Sequence, residues 1–223
     1  MKELLVIVPT RGRPNKSVEF YEAFKENSDL GFTDLLFGLD DDDIEYPRLP
    51  GVLYSVNPRL RMNGTLNKLA LENAACYKYI AFLGDDHRVR TKNWDRILAN
   101  SIQDFGLAYG NDLFQGRALA TSVMMSSNII SELGYMAPPE LIHLFLDVFW
   151  MQTGQALKKI TYHHNVIIEH LHPYAGKNEM DSGYWECNAK TLHDKDQESY
   201  KRYKETRFES DMEKLRKLLG DKK

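Results

Sequence analysis

Short apolar runs alternate with segments of helical spacing over the first half of the chain. Four runs are each five residues long and stop at proline, aspartate, asparagine or glycine, as buried strands of a parallel sheet do. These predicted strands are 4–8, 35–39, 52–56 and 79–83. Apolar stripes predict helices from Asn15, from about Thr65, and from Trp94 to Phe105. The alternation predicts a parallel sheet with right-handed crossovers, and such sheets bind ligands beyond the carboxyl ends of their strands.

The second half of the chain is less regular. Its shorter apolar segments predict strands at 107–109, 122–125, 160–162 and 166–168, and helices at 128–133 and about 140–153. From about Asp194 the chain is strongly charged, with one apolar stripe typical of a packed helix. We therefore expect one α/β domain with a mixed, mainly parallel sheet flanked by helices, and a C-terminal helix. Its sections would be residues 1–110, residues 111–192 and a helical tail at 193–223.

Composition and charge exclude several classes of protein. Of the 223 residues, 43% are hydrophobic and 27% are charged, which is ordinary for a folded globular chain. The net charge of −3 lacks the basic excess of a protein whose main affinity is for nucleic-acid phosphates. No stretch approaches the roughly 20 apolar residues that span a bilayer, so we expect a cytoplasmic protein. Cys76 and Cys187 show no metal-ligand spacing and are expected to be free thiols.

Two adjacent carboxylates, Asp85 and Asp86, follow the fourth predicted strand. Leaving them unpaired at the carboxyl edge of a sheet would be costly. A hard divalent cation with a diphosphate would offset that cost, because Mg²⁺ and Mn²⁺ bind one or two carboxylates and complete their shell with substrate phosphates. Alternatively, Asp86 caps the next helix or pairs with Arg88.

Further charged loops fall at the same predicted edge. Asp40 and Asp41 end the second strand, where one of them would accept the imide N–H of a uracil ring; a solvated acidic loop is the alternative. A local basic patch is expected to face a diphosphate, although solvated surface charge would explain it equally well. The members of this patch are Arg11, Arg13, Arg59 and Arg61.

The second half adds candidates of three kinds. Asp147 lies in an apolar helical pattern, where a carboxylate is expensive unless it is hydrogen-bonded or poised for chemistry; a helix cap or a buried salt bridge is the alternative. His170 and His172 share one face at the end of a predicted strand, although a histidine is more often a satisfied core residue. Lys177 follows in a loop that would close over a ligand or simply lie on the surface.

In order and context these segments resemble a GT-A glycosyltransferase, near the family 2 group and especially its small phage and bacterial members. The matching pieces are the opening VIVPTRGRP at 6–14, the acidic end of the second strand, and the aspartates after the fourth. The resemblance extends over roughly residues 4–190. The chain departs from the family's Asp-x-Asp pattern by placing Gly84 at the first position. The role of the first carboxylate is therefore expected to fall to Asp85.

The resemblance implies roles for single residues. The nucleoside and the donor would be held by Thr10, Asp40 or Asp41, and Lys68. Asp86 would be the principal metal ligand, with Asp85 beside it toward ribose or metal. A late histidine would be the third protein ligand, and we favour His172 over His170 because it lies nearer the carboxyl end of its strand. Asp147 occupies a position like that of the family's general base.

The function implied is metal-dependent transfer of a hexose-type sugar from a nucleotide-diphosphate sugar, with UDP as the expected nucleotide and Mn²⁺ or Mg²⁺ as cofactor. Residues 1–110 would hold the nucleotide sugar, and residues 111–192 would supply the acceptor side and complete the metal site. Direct displacement assisted by Asp147 would invert the anomeric configuration. The sequence leaves the oligomeric state and the acceptor open, the latter among protein, nucleic acid, lipid and glycan.

Two alternatives belong to other classes. A nucleotidyltransferase on a related fold would also hold metal and diphosphate, but it should carry a glycine-rich segment after its first strand, and residues 9–14 hold one glycine. A non-catalytic nucleotide-sugar-binding module would show no turnover and would tolerate substitution of Asp147. Because one fold supports many functions, the site residues decide between these classes.

Overall fold

In the computed structural model, which describes residues 2–220, eight strands form one sheet in the order β3-β2-β1-β4-β7-β6-β8-β5. The strands are β1 (Leu4–Pro9), β2 (Thr33–Asp40), β3 (Val52–Asn57), β4 (Tyr79–Phe82), β5 (His87–Val89), β6 (Leu107–Asn111), β7 (Val123–Ser126) and β8 (Ile160–His170). The first four run parallel to one another. Three of the four remaining pairings are antiparallel, and β6 with β8 is parallel. The predicted mixed, mainly parallel sheet is confirmed.

Eight α-helices occupy the described part of the chain. They are α1 (Pro14–Asn27), α2 (Arg61–Asn73), α3 (Trp94–Ile102), α4 (Ser127–Leu133), α5 (Leu146–Leu157), α6 (Ser182–Cys187), α7 (Lys190–Thr206) and α8 (Phe208–Gly220). Pro14 lies in the first turn of α1, where its missing N–H costs nothing. Within residues 2–220, no helix combines the length and apolarity needed to cross a membrane.

Strand β1 is buried on both faces, which explains its unbroken apolar run. Leu5 and Ile7 pack into a core shared with α2, α4, α5 and α8. Leu4 and Val6 pack into a second core, on the other face, with α1 and α3. Because the two cores fix the sheet from both sides, the carboxyl ends of β1, β2 and β4 are held at one edge.

The structure corrects several predicted boundaries. The helix expected at 140–153 is α5, which begins only at Leu146, and residues 135–145 have no regular structure. The strands expected at 160–162 and 166–168 are one continuous strand, β8. Helix α2 begins at Arg61 rather than near Thr65, and Phe105 lies beyond the end of α3. The charged tail forms α7 and α8, which meet at Arg207, rather than one helix; residues 221–223, like Met1, lie outside the described residues.

Strand β5 was not predicted, because three residues are too few to show a period. It follows β4 after a short turn and pairs antiparallel with the end of β8. The register places His87 opposite His170 and Arg88 opposite Glu169. Two histidines that are far apart in sequence therefore become neighbours.

Candidate active site

A cavity of about 470 Å³ opens at the carboxyl ends of β1, β2 and β4. Its other walls are the end of β8, residues 142–147 and helix α6. All the site residues predicted from sequence line this cavity except Asp41, Lys68 and Lys177. The parallel strands account for the arrangement, because each delivers its following loop to the same edge.

The three exceptions lie elsewhere for identifiable reasons. Asp41 is exposed in the turn after β2. Lys68 pairs with Glu72 along the outer side of α2, since the apolar stripe of that helix faces the core. Lys177 Nζ lies 2.9 Å from Glu169 Oε1.

Asp85 is buried and bound to two residues from the loop after β1. Thr10 Oγ1 donates to Asp85 Oδ2 at 2.6 Å, and Arg13 Nη1 donates to Asp85 Oδ1 at 3.1 Å. Burial and the negative charge of Asp86 raise the pKa of Asp85, while Arg13 and Thr10 oppose that rise. In this structure Asp85 therefore ties the β4 turn to the β1 loop.

Asp86, His87 and His170 form a compact group in which one ligand atom from each lies within 4.8 Å of the others. Asp86 Oδ1 is 3.4 Å from His87 Nδ1, and Asp86 Oδ2 is 3.4 Å from His170 Nε2. The two imidazole rings stack with their centroids 4.4 Å apart. Burial favours the neutral acid, but the two imidazoles outweigh it and hold the pKa of Asp86 well below its usual value.

The chemistry of this group fits a divalent cation. One carboxylate and two imidazoles are a donor set that transition metals accept readily. Within residues 2–220, the ring nitrogens that do not face Asp86, His87 Nε2 and His170 Nδ1, are buried without a hydrogen-bond partner, whereas His87 Nδ1 accepts from Gly84 N at 3.0 Å. Burial, followed by the proximity of His170, lowers the pKa of His87, and a metal binds imidazole in its neutral form.

The positions of Asp86 and His87 explain why residue 84 is a glycine. A Cβ at position 84 would lie 2.6 Å from Asp86 Oδ1 and 2.9 Å from His87 Nδ1. Because those contacts are closer than real side chains allow, a larger residue would displace Asp86 and His87. The departure from the Asp-x-Asp pattern thus leaves room for the histidine that follows.

His172 lies outside this group, although the sequence favoured it as the late ligand. Its ring stacks on Phe114 at a centroid distance of 5.0 Å, and its Nδ1 accepts from Tyr174 N at 3.2 Å. The other nitrogen, Nε2, lies 3.5 Å from Tyr184 Oη. His172 thus belongs to an aromatic cluster at the cavity wall.

Asp147 also lines the cavity, in the first turn of α5. Its Oδ1 accepts from Val148 N at 2.8 Å, and within residues 2–220 no cation lies within salt-bridge distance of it. Burial raises the pKa of Asp147. The buried salt bridge considered as an alternative is therefore not found in this part of the chain.

The cationic residues of the cavity are already paired. Arg11 bonds Asp40, at 2.8 Å, and Asp42. Arg13 forms two bonds to Asp181, the cap of α6, at 2.7 and 2.9 Å.

Helix α6 supplies a second carboxylate to this wall. Glu186 contacts Arg59 Nη2 at 2.7 Å and also contacts Arg61. Helix α6 therefore places two carboxylates, Asp181 and Glu186, against the basic patch.

Sequence reasoning assigned no role to His87 or Glu186, and it placed Asp181 only in the loop with Lys177 that would close over the donor or simply lie on the surface. The adjacency of His87 to the two aspartates was a usable signal, but the turn into β5 was not recognised. Asp181 and Glu186 carried no local signal, because their partners lie more than a hundred residues away in sequence.

The strand order, the helices on both faces and the cavity at the carboxyl edge define a GT-A-like fold of the nucleotide-diphospho-sugar transferase type. The fold expected from the order of motifs is confirmed.

Solved structures support this class. S. aureus TarS 1–349 in complex with UDP is 12% identical, with a TM-score of 0.55 over 74% of this chain and 59% of that chain. The Pyrobaculum calidifontis mannosyltransferase PcManGT, with GDP-Man and Mn²⁺, is 13% identical, with a TM-score of 0.54 over 78% and 58%. A Desulfovibrio desulfuricans G20 protein assigned to the nucleotide-diphospho-sugar transferases is 11% identical, with a TM-score of 0.51 over 91% and 99%.

These likenesses concern the fold alone, since all the identities are low. The chain spans less than two thirds of the TarS fragment and of the mannosyltransferase. No protein-family model and no curated protein matches the chain.

Proposed function

We propose that this protein is a metal-dependent glycosyltransferase that moves a sugar from a UDP-linked donor to an acceptor hydroxyl with inversion. The observation that carries the proposal is a single cavity in which Asp86, His87 and His170 form one wall and Asp147 another. A substrate bound in this cavity would contact both the proposed cation site and the proposed base. The nucleotide sugars and Mn²⁺ bound by TarS and PcManGT support the donor class.

Asp86, His87 and His170 are proposed to hold the cation. When bound, a divalent cation would neutralise the charge that develops on the leaving diphosphate. Imidazole nitrogens suit Mn²⁺ better than Mg²⁺, which prefers oxygen ligands, so we propose Mn²⁺. Asp85 joins the turn after β4 to the loop after β1 through its bonds to Thr10 and Arg13. It would orient the ribose side of the donor.

The loops after β1 and β2 are proposed to bind the nucleotide. Asp40 is buried at the end of β2, where its carboxylate would accept the imide N–H of uracil. Arg11 and Arg13 are placed to meet the diphosphate if they exchange their present carboxylate partners for phosphate oxygens.

Asp147 is proposed to accept the proton of the acceptor hydroxyl. As that oxygen bonds to the anomeric carbon, the bond from the anomeric carbon to the diphosphate oxygen breaks, and the proton passes to Asp147. A carboxylate whose pKa is raised by burial is a better proton acceptor than an exposed one. Attack from the side opposite the leaving group inverts the configuration.

The test is a panel of nucleotide sugars with Mn²⁺, assayed for thermal stabilisation and for donor hydrolysis. A donor present at 100 times its Kd should stabilise the folded chain by about 2.7 kcal/mol. UDP sugars should stabilise it in the presence of Mn²⁺ and be hydrolysed slowly. Absence of stabilisation by every nucleotide sugar at millimolar concentration would exclude the proposed function; stabilisation without any turnover would favour a binding module.

A further inference from the structure

The wall of the cavity that leads to Asp147 has no regular secondary structure. Residues 135–145 include two prolines, Pro138 and Pro139, and connect α4 to α5. Phe145, the last residue before α5, has a left-handed backbone with φ of 67°. Local sequence preferences therefore do not fix this segment, and other parts of the chain must hold it.

Asp196, in helix α7, binds this segment through three backbone groups. Its Oδ1 accepts from Ile142 N at 2.9 Å, and its Oδ2 accepts from His143 N at 2.9 Å and Leu144 N at 2.8 Å. The carboxylate is fully buried. Within residues 2–220 no cation lies within salt-bridge distance of Asp196, so these three N–H groups are what compensates its charge.

Aromatic contacts join the same helix to the same segment. The ring of Phe145 stacks on Tyr200 of α7, with centroids 5.7 Å apart and planes inclined by 17°. Tyr200 Oη also donates to Gln152 Oε1 in α5 at 3.0 Å. Helix α7 thus contacts both the segment and the helix that carries Asp147.

We propose that Asp196 is a positioning residue for the transfer reaction, which fixes the backbone at 142–144 and thereby the start of α5 and the place of Asp147. The inference rests on the proposed function of Asp147. Asp196 itself does not reach the substrate, because its two oxygens are used by the backbone. Its influence passes through three residues of backbone to Phe145 and then to the first turn of α5.

The test is Asp196→Asn, which keeps the shape of the side chain but leaves one acceptor oxygen and turns an amide N–H₂ toward the backbone donors. Misplacement of a reacting group by about 1 Å can cost on the order of 10²-fold in rate. We expect kcat for Mn²⁺-supported hydrolysis of a UDP sugar to fall by about that factor, with the donor KM unchanged. Asp196→Glu, which restores the charge but not the length, should recover part of the loss and serves if the asparagine variant does not fold.

Asp95→Asn is the matched control. Asp95 is also fully buried, and its carboxylate accepts from Asp29 N at 2.8 Å, Arg96 N at 2.9 Å and Thr33 Oγ1 at 2.6 Å. It lies near the amino end of β2, at the sheet edge away from the cavity. The control variant should lose stability without a change in kcat.

Hydrogen exchange gives a readout that does not depend on turnover. Asp196→Asn should accelerate exchange at the amides of Ile142, His143 and Leu144, whereas Asp95→Asn should not. If wild type hydrolyses no nucleotide sugar, the proposed function fails while the exchange result still shows whether Asp196 holds the segment. Unchanged exchange there, a fall in kcat no greater than in Asp95→Asn, or a rise in donor KM alone would overturn the positioning role.

Discussion

The two halves of the cavity are built in different ways. On the side proposed to bind the nucleotide, Thr10 directly follows β1, Asp40 is the last residue of β2, and Asp85 comes three residues after the end of β4, so the sheet itself places them. On the side proposed to face the acceptor, residues 142–145 belong to a stretch with no regular structure, and residues 146 and 147 begin α5. The first wall depends on strand order, and the second depends on side chains that reach it from distant elements.

In residues 135–145, buried side-chain amides and one carboxylate form the backbone hydrogen bonds that a helix or strand would otherwise provide. Asn67 bonds Met136 N and Ala137 N through its side-chain oxygen, at 2.8 and 3.0 Å. Asn63 donates to the carbonyl oxygens of Pro138 and Leu141, both at 2.8 Å. These bonds satisfy backbone groups that a helix or strand would otherwise pair. We therefore expect the position of residues 135–145 to depend on single substitutions at residues far away in sequence.

The largest expected effect is that of Asp147→Asn, which should change the rate of turnover without changing donor binding. Asp147→Asn should slow donor hydrolysis by about 10²- to 10⁴-fold, because a general base contributes that much to a proton transfer. Donor affinity should stay unchanged, since Asp147 is proposed to contact the acceptor and not the donor. The measurement pairs kcat with calorimetric donor affinity, and Glu132→Gln, an exposed acid on α4, is the control. Wild-type turnover by Asp147→Asn would leave that residue a structural role.

The second test addresses the nucleotide wall. Asp86→Ala removes both a ligand and a negative charge, so Mn²⁺-dependent UDP affinity should fall by on the order of 10²-fold or more. Calorimetry with and without Mn²⁺ measures this, with Asp194→Ala, an exposed carboxylate on α7, as control. Retention of metal-dependent UDP binding by Asp86→Ala would remove the basis for a cation site there.

Substitutions of His87 and His170 test whether the cation site joins the two halves of the chain. His87 comes from the first half and His170 from the second, and β5 and β8 bring them together. Alanine at either position should weaken Mn²⁺ binding by about 10- to 100-fold in the presence of UDP. His172→Ala should bind Mn²⁺ like wild type; if it alone loses the metal, the ligand suggested by the sequence is the correct one.

The smallest effect concerns helix α6. Glu186 competes with a diphosphate for Arg59 and Arg61, so Glu186→Gln should tighten UDP binding by up to about fivefold, the range of an exposed ion pair. The gain should shrink at high salt, which screens exposed charges. Glu179→Gln, which neutralises an exposed acid just before α6, is the control. Equal effects of both substitutions would point to general charge rather than to competition.

The confirmed predictions share a local origin. The runs at 4–8, 35–39 and 79–83 predict strands correctly because both faces of each strand are buried, and a continuous apolar pattern indicates that burial directly. The helix expected at 140–153 begins only at Leu146, because residues 140–145 belong to the irregular segment 135–145, whose backbone groups bond to Asn63, Asn67 and Asp196. The period of apolar residues cannot distinguish a regular element from an irregular buried segment, since it records burial and not the hydrogen-bond partners of the backbone.

What the sequence determined by itself is the alternation of strands and helices as far as α3, apart from β5, and with it the convergence of the loops after β1, β2 and β4. Those features follow from the period of apolar residues and from the geometry of parallel sheets. Tertiary structure alone decided that His87 lies against His170, that His172 stacks on Phe114, and that Asp196 holds the path to Asp147. These pairings arise from strand register and from buried polar contacts between segments far apart in the chain. Their energies depend on three-dimensional packing, which leaves no periodic trace along the sequence.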